Sequence, residues 1–92
     1  MHTETSPFDI AQHLKSDEDI RGFLQEVANS GDTSDLIHAL NIAARAKGMT
    51  KVAQQAGVTR ASLYKSLSQD GNPRFDTISK IVTALGCKLA IT

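Results

Sequence analysis

The segment from Thr59 to Ser68 has the residue types best suited to binding a ligand. On a helix with about 100° per residue, Leu63 and Leu67 face inward. The other sides carry small, hydroxyl-bearing and basic side chains: Arg60, Ala61, Ser62, Tyr64, Lys65 and Ser68. In a DNA major groove Arg or Lys bonds guanine, Ser bonds several bases and Ala contacts the thymine methyl. The pattern therefore predicts a recognition helix, with an ordinary helical hairpin as the alternative.

The residues before this helix predict the corner that presents it. Thr50 is suited to N-cap a helix that runs to about Ala56, and Gly57 can end that helix in the left-handed conformation. Thr59 is suited to cap the next helix. Residues 50–68 are therefore predicted to form a helix-turn-helix.

The predicted DNA contacts are of two kinds, because base contacts specify a sequence and phosphate contacts position the protein. Arg60, Ser62 and Lys65 are expected to lead the base contacts. Three residues are assigned to phosphates: Thr50, Lys51 and Arg74. The whole predicted DNA-binding set is Thr50, Lys51, Thr59, Arg60, Ala61, Ser62, Tyr64, Lys65 and Arg74. For Tyr64, stacking, a phosphate bond and covering the edge of the core all remain open.

The formal net charge of zero conceals two oppositely charged halves. Residues 1–42 contain eight acids and two bases, a net charge of −6, and residues 43–92 contain eight bases and two acids, a net charge of +6. The basic half is suited to a polyanion and the acidic half to a basic partner. The alternative is that each half only solvates its own surface.

Helix start and stop signals organise the rest of the chain. They predict a flexible N-terminus at residues 1–7 and one domain over residues 8–92. The domain has N-terminal helices within 8–47 and a last helix over 75–85. The expected caps and stops of the N-terminal helices are Ser6, Ser16, Gly31, Asp32 and Gly48, and Gly86 is the stop of the last helix.

The last helix begins with an unusual residue at its expected N-cap. Arg74 cannot accept the amide hydrogen bond that an N-cap side chain normally takes. Either Asp76 and Thr77 in the first turn compensate, or Arg74 is present to bind a phosphate. Phe75 is counted with the apolar face of this helix, together with Ile78, Ile81, Val82 and Leu85.

The C-terminal residues change to a period of two, which predicts a strand over 87–91. Leu89 and Ile91 would share one face with Cys87. No second strand is predicted elsewhere, so the same strand of another copy is the simplest partner and the chain is expected to be a homodimer. The alternative is that Leu89 and Ile91 fold back onto the last helix and any dimer forms through helices.

Several functional classes are excluded by length and residue types. A chain of 92 residues predicts one small domain, and we expect neither an enzyme nor a cofactor. His2, His13 and His38 have no ligand partners at metal spacing, so no metal site is expected. The single cysteine and the lack of an export signal or an apolar run of about 20 residues predict a cytoplasmic protein without a membrane span.

Two blocks, GMTKVAQQAGVTRASLYKSLS and GNPRFDTISKIVTALG, carry a family resemblance. The first resembles the lambda-repressor-like helix-turn-helix family. The run from about Phe8 to Leu89 resembles the probable addiction-module antidote proteins, HigA-like antitoxins encoded beside a RelE/ParE-type toxin. The resemblance implies an all-α domain of five or six helices, here with the short C-terminal strand. It also implies an antitoxin that binds its own operator, represses its operon and neutralises the toxin.

The acidic half is the expected toxin-binding surface, because toxins of the implied type tend to be basic. The surfaces of the first two helices are chiefly assigned to it, with four acids: Asp17, Glu18, Asp19 and Glu26. The alternative is that these acids only cap the helix. Two other functions stay open: a stand-alone or phage-type repressor without a toxin, and a protein-binding adaptor in which the helix-turn-helix is scaffold.

Overall fold

The computed structural model describes residues 7–68 and 73–88. Within them lie six helices and no strand: α1 (Pro7–His13), α2 (Asp17–Ser30), α3 (Thr33–Lys47), α4 (Met49–Ala56), α5 (Arg60–Ser66) and α6 (Phe75–Ala84). For this part of the chain the all-α prediction is confirmed. Helix α1 begins at Pro7, and the ends of α2 and α3 lie within about one residue of their expected caps and stops.

Short-range caps explain where α2 and α3 begin. The hydroxyl of Ser16 accepts the amide of Asp19 at 3.1 Å, which caps α2. Asp32 and Asp35 form a complete capping box at the start of α3, in which each carboxylate accepts the other residue's amide. At α2 the reciprocal bond differs from a capping box, because the Asp19 carboxylate accepts the amide of Lys15.

The core gathers around α3 and α4. Helix α3 packs against α1, α2 and α4, and α4 also packs against α5 and α6. The largest fully buried side chains come from five helices and their ends: Ile20, Leu40, Val52, Leu63, Leu67, Ile81 and Leu85. Burying each such side chain contributes about 1.5–3 kcal/mol. Helices α3 and α4 are therefore the frame that holds α5 at the surface.

Three local expectations are wrong. Helix α4 begins at Met49 with Gly48 at its N-cap, so Thr50 lies inside the helix and caps nothing. Met49 is buried in the core, so the helix begins at this residue, earlier than the sequence predicts. Helix α5 ends at Ser66 rather than Ser68. Phe75 is 77% exposed and does not belong to the apolar face of α6.

The described residues after α6 contradict the start of the strand predicted for residues 87–91. Gly86 has a φ of +80°, and its amide and that of Cys87 donate to the carbonyls of Thr83 and Val82. These two bonds form a Schellman motif, which uses the Cys87 amide to close the end of α6. Cys87 and Lys88 accordingly lie in no strand. Leu89 and Ile91 lie outside the described residues, so the dimer seam assigned to them stays a prediction.

Candidate functional site

The corner between α4 and α5 is built by one glycine and one threonine. Gly57 takes the left-handed conformation, with φ +73° and ψ +31°. Its amide donates to the carbonyl of Gln54, and the next amide donates to the carbonyl of Ala53 at 3.0 Å. Thr59 then caps α5, since its hydroxyl accepts the Ser62 amide at 3.0 Å. The left-handed end at Gly57 and the cap at Thr59 are confirmed.

Helix α5 has the two faces that the sequence predicts. Leu63 and Leu67, at its end, are buried in the core. The residues assigned to DNA on α5 are all exposed: Arg60, Ala61, Ser62, Tyr64 and Lys65. Ser68, also expected to face outward, is half-buried, with its hydroxyl bonded to the Lys65 carbonyl. The exposed face of α5 is therefore made of small, polar and basic side chains.

An arginine of α3 joins this face, although the sequence did not point to it. The guanidinium carbon of Arg45 lies 5.7 Å from the ring centroid of Tyr64, and that of Arg60 lies 5.6 Å from the same centroid. Both distances are within the range of cation–π attraction. Nη2 of Arg60 also donates to the Tyr64 hydroxyl at 3.3 Å. We call Arg45, Arg60 and Tyr64 the arginine–tyrosine cluster.

Asn41 ties this cluster to the far end of α5. Its Oδ1 accepts the Nε–H of Arg45 at 3.0 Å, one turn along α3. Its Nδ2 donates to the carbonyl of Leu67 at 3.3 Å. The spacing of Asn41 and Arg45 by four residues is visible in the sequence, but their contact with α5 depends on how the two helices pack. Asn41 is half-buried, so its two bonds restrain both α3 and α5.

An open groove of about 790 Å³ runs beside the cluster. Parts of α1, α3, the start of α4 and α5 line it. Its polar lining includes Gln12, His38, Asn41, Arg45, Thr50 and Arg60. Thr50, which does not cap α4, is exposed and lines this groove. Its neighbour Lys51 is also exposed.

The positive side chains on and beside α5 lie apart from the carboxylates of the described residues. No carboxylate of the described residues lies within 4.0 Å of the cationic atoms of Arg45, Lys51, Arg60 or Lys65. The hydrogen bond from Arg60 lowers the pKa of the Tyr64 hydroxyl, with smaller contributions from the positive charges of Arg60 and Arg45. The same cations that attract the phenolate also attract a ligand with negative oxygens.

Arg74 occupies the N-cap position of α6 and makes no capping bond, as expected. Asp76 accepts the Thr77 amide at 2.9 Å, so one amide of the first turn has an acceptor although the cap is missing. The Nε of Arg74 lies 3.6 Å from the Asp76 carboxylate, and both side chains are exposed. A phosphate role for Arg74 stays a prediction.

The four acids assigned to a toxin are all exposed on α2, but they are not equivalent. Asp17 pairs with Lys47 of α3 at 3.5 Å, and Asp19 accepts the Lys15 amide. Within the described part of the chain, the carboxylates of Glu18 and Glu26 are in no hydrogen bond or ion pair. The capping alternative therefore applies to Asp19, and Glu18 and Glu26 are available for a partner.

Three observations concern other kinds of site. Among residues 7–68 and 73–88, no His, Cys, Asp and Glu side chains group in a way that could hold a metal ion. No helix in the same ranges is long and apolar enough to cross a bilayer. Cys87 is half-buried, and burial raises the pKa of its thiol.

Comparisons with known proteins agree with the resemblance seen in the sequence. An uncharacterised protein of Haemophilus influenzae is 37% identical over 91 residues, which cover 99% of this chain and 94% of that protein. No solved structure matches the chain significantly. A family model described as "Probable addiction module antidote protein" matches residues 4–92. Since this match spans nearly the whole sequence, the chain belongs to the probable addiction module antidote protein family.

Proposed function

We propose that this protein is the antitoxin of a type II toxin–antitoxin module. It binds operator DNA to repress its own operon, and it neutralises a RelE/ParE-type toxin by direct contact. Membership of the antidote family supports the antitoxin role. The observation that supports DNA binding best is the exposed face of α5, on which Arg60 and Lys65 have no carboxylate partner among the described residues.

The DNA-binding role divides between base and phosphate contacts. Arg60, Ser62 and Lys65 lie on the exposed face of α5 and are proposed to read base edges. Lys51, in the first turn of α4, is proposed to contact a phosphate, as are Thr50 and Arg74. Loss of a base-reading side chain costs about 1–3 kcal/mol at the operator, whereas loss of a phosphate contact weakens all duplexes alike.

Titration of two duplexes at two salt concentrations tests this role. One duplex carries the promoter region of the protein's own gene, and the other has the same composition in scrambled order. Lys65→Ala should weaken binding to the promoter duplex and leave the scrambled duplex nearly unchanged. Lys51→Ala should weaken both and reduce the salt dependence. Equal binding of both duplexes by wild type and both variants would overturn the proposal.

The toxin-binding role is assigned to the exposed acids of α2. Glu18 and Glu26 project from the same side of the helix, because eight residues turn it by about 80° beyond two full turns. A basic toxin would associate faster with such a surface. Asp17 and Asp19 belong to the same surface and also have partners inside the chain.

Association kinetics with a basic RelE/ParE-type protein encoded beside the gene test this assignment. Glu18→Gln with Glu26→Gln should slow association, and the effect should shrink in high salt. Arg21→Gln is the matched control, because it removes an exposed positive charge from the same helix and should not slow association. An unchanged rate in the double variant would place the toxin on another surface.

The proposal includes a homodimer. Two copies with a two-fold axis would set two α5 helices about 34 Å apart, one turn of DNA, and would match a palindromic operator. Sedimentation of the full chain and of a chain that ends at Lys88 tests the seam assigned to Leu89 and Ile91. If the shortened chain is a monomer, the result supports that seam. If it is still a dimer, the dimer forms through the helices instead.

A further inference from the structure

The arginine–tyrosine cluster holds two positive charges against one ring. Both guanidiniums lie within 5.7 Å of the Tyr64 centroid. Within the described chain no carboxylate lies within 4.0 Å of either one, so their repulsion is not offset by an ion pair. Asn41, outside the cluster, accepts the Nε–H of Arg45 and so holds this side chain beside the ring.

We infer that Arg45 and Arg60 form a phosphate site at the edge of the groove, and that Asn41 is its positioning residue. The ligand is a phosphodiester group of duplex DNA, so this inference rests on the proposed function. It adds a residue of α3 to an interface that would otherwise be assigned to α4, α5 and Arg74. It also gives Arg60 a phosphate contact beside the base contact proposed above, since a guanidinium has enough N–H donors for both.

The unused donors of the two arginines favour a phosphate. A guanidinium has five N–H donors in a planar fork, which matches the oxygens of a phosphate. Asn41 takes the Nε–H of Arg45, and the Tyr64 hydroxyl takes one Nη–H of Arg60. The described residues make no further side-chain bonds to either guanidinium, which leaves the Nη groups of Arg45 for a ligand.

The place of the groove favours DNA over a free anion. Thr50, at the start of α4, lines the same groove as Arg45 and Arg60. Arg60 is also the first residue of the exposed helix α5. A duplex that presents its bases to α5 would therefore bring its backbone to the groove, where Thr50 and Lys51 supply further polar and positive groups.

Asn41 positions Arg45 through bonds to two helices. Its Nδ2 is used by the Leu67 carbonyl and its Oδ1 by Arg45, so both ends of the amide are occupied. Without the Asn41 amide, Arg45 keeps its positive charge, but its side chain loses the hydrogen bond that fixes its orientation. Asn41→Ala should therefore change the affinity for DNA without changing the number of phosphates neutralised.

The salt dependence of binding to a scrambled duplex separates these effects. Arg45→Ala should lower the slope of log K against log salt by about 0.9, the value expected for one lost phosphate contact. Lys80→Ala, on the exposed side of α6, is the control and should leave the slope unchanged. Asn41→Ala should keep the wild-type slope and lose affinity about 3- to 10-fold, while the Nε–H signal of Arg45 in nuclear magnetic resonance loses its protection.

Inorganic phosphate supplies the second arm of the experiment. In the wild type, added phosphate should shift the Nε–H signals of Arg45 and Arg60, and Tyr64→Ala should weaken that response. If Arg45→Ala and Lys80→Ala give the same slope as the wild type, the inference is wrong although the proposed function stands. If the wild type binds no duplex at all, the proposed function is wrong, and the phosphate shifts alone decide whether the site exists: their absence overturns it.

Discussion

Arg60 donates a hydrogen bond of 3.3 Å to the hydroxyl of Tyr64, one turn further along α5. The two residues lie on the exposed face of the helix, and the bond holds the long Arg60 side chain along the helix surface. Because Arg60 is the first residue of α5, the bond also fixes where its positive charge is presented. Tyr64 is thus an orienting residue as well as the platform for Arg45.

The first prediction concerns the ionisation of Tyr64, which is the single tyrosine of the chain. Its pKa lies below the usual value of about 10, mainly because Arg60 bonds the hydroxyl. Absorbance at alkaline pH should show a midpoint below that of the unfolded chain. Arg60→Ala should move the midpoint upward, and Arg45→Ala should move it by less. If Arg60→Ala left the ionisation midpoint of Tyr64 unchanged, the result would contradict the hydrogen bond between the two residues.

The effect of this ionisation on stability has a definite sign. A depressed pKa means that the native chain binds fewer protons than the unfolded chain between the two midpoints. The contribution of Tyr64 to the free energy of unfolding therefore grows as pH rises through that window. It is fully present above the unfolded midpoint and is lost as pH falls through the native one, so neutral pH shows none of it.

The second prediction compares two glycines that both have open space for a β-carbon. Gly57→Ala forces alanine into φ +73° and should reduce the free energy of unfolding by about 1 kcal/mol. Gly22 lies inside α2 at an ordinary helical φ, so Gly22→Ala should raise stability by about 0.5–1 kcal/mol. Urea denaturation measures both, and effects of equal sign would contradict the left-handed conformation at Gly57.

The predictable features of this chain are those set by neighbouring residues. The caps at Ser16, Asp32 and Thr59 depend on bonds that span three residues, and all three are confirmed. The burial of Leu63 and Leu67 follows from the helical period alone. Such signals are complete within one short segment, so the sequence is enough to find them.

The features that could not be predicted from the sequence depend on packing or on two competing local signals. Arg45 reaches Tyr64 because α3 lies beside α5, and no spacing along the chain encodes that distance. At the end of α6 the alternating pattern suggested a strand, but the left-handed Gly86 starts a helix-closing motif that takes the amide of Cys87. Thr50 has a better capping side chain than Gly48. Because α4 begins at the buried Met49, however, Thr50 lies inside the helix and Gly48 is the N-cap.

The third prediction compares a helix with a side-chain cap and a helix without one. Asp32→Ala should reduce stability by about 1 kcal/mol, because it removes the acceptor of the Asp35 amide. Arg74 already has the extended backbone of an N-cap, with φ −73° and ψ 155°. Arg74→Ser should therefore exceed Arg74→Ala in stability by about 0.5–1 kcal/mol.

The comparison of Ser with Ala at residue 74 is a matched one, because both variants lose the ion pair with Asp76 equally. Thermal and urea denaturation provide the measurement. Equal stabilities of the two variants would mean that the Asp76 carboxylate already satisfies the first turn of α6.

The fourth prediction concerns two ion pairs of nearly equal length. Asp17 lies 3.5 Å from Lys47, and Asp76 lies 3.6 Å from Arg74. Each acid is in the first turn of a helix, so the favourable interaction with the helix dipole is similar for both. The acids are also almost equally exposed, and the pairs differ in their bases: the Lys47 side chain is 12% exposed and that of Arg74 is 87% exposed.

Asp17→Asn should therefore destabilise the protein by about 1 kcal/mol, because it leaves the shielded Lys47 charge without its carboxylate. Asp76→Asn should cost less than about 0.5 kcal/mol, since water solvates Arg74 and an asparagine oxygen can still accept the Thr77 amide. Urea denaturation at low and high salt provides the measurement. Only the Asp17 effect should persist in high salt, because screening is weak for a shielded charge. Equal losses in the two variants would show that the burial of Lys47 does not strengthen its pair.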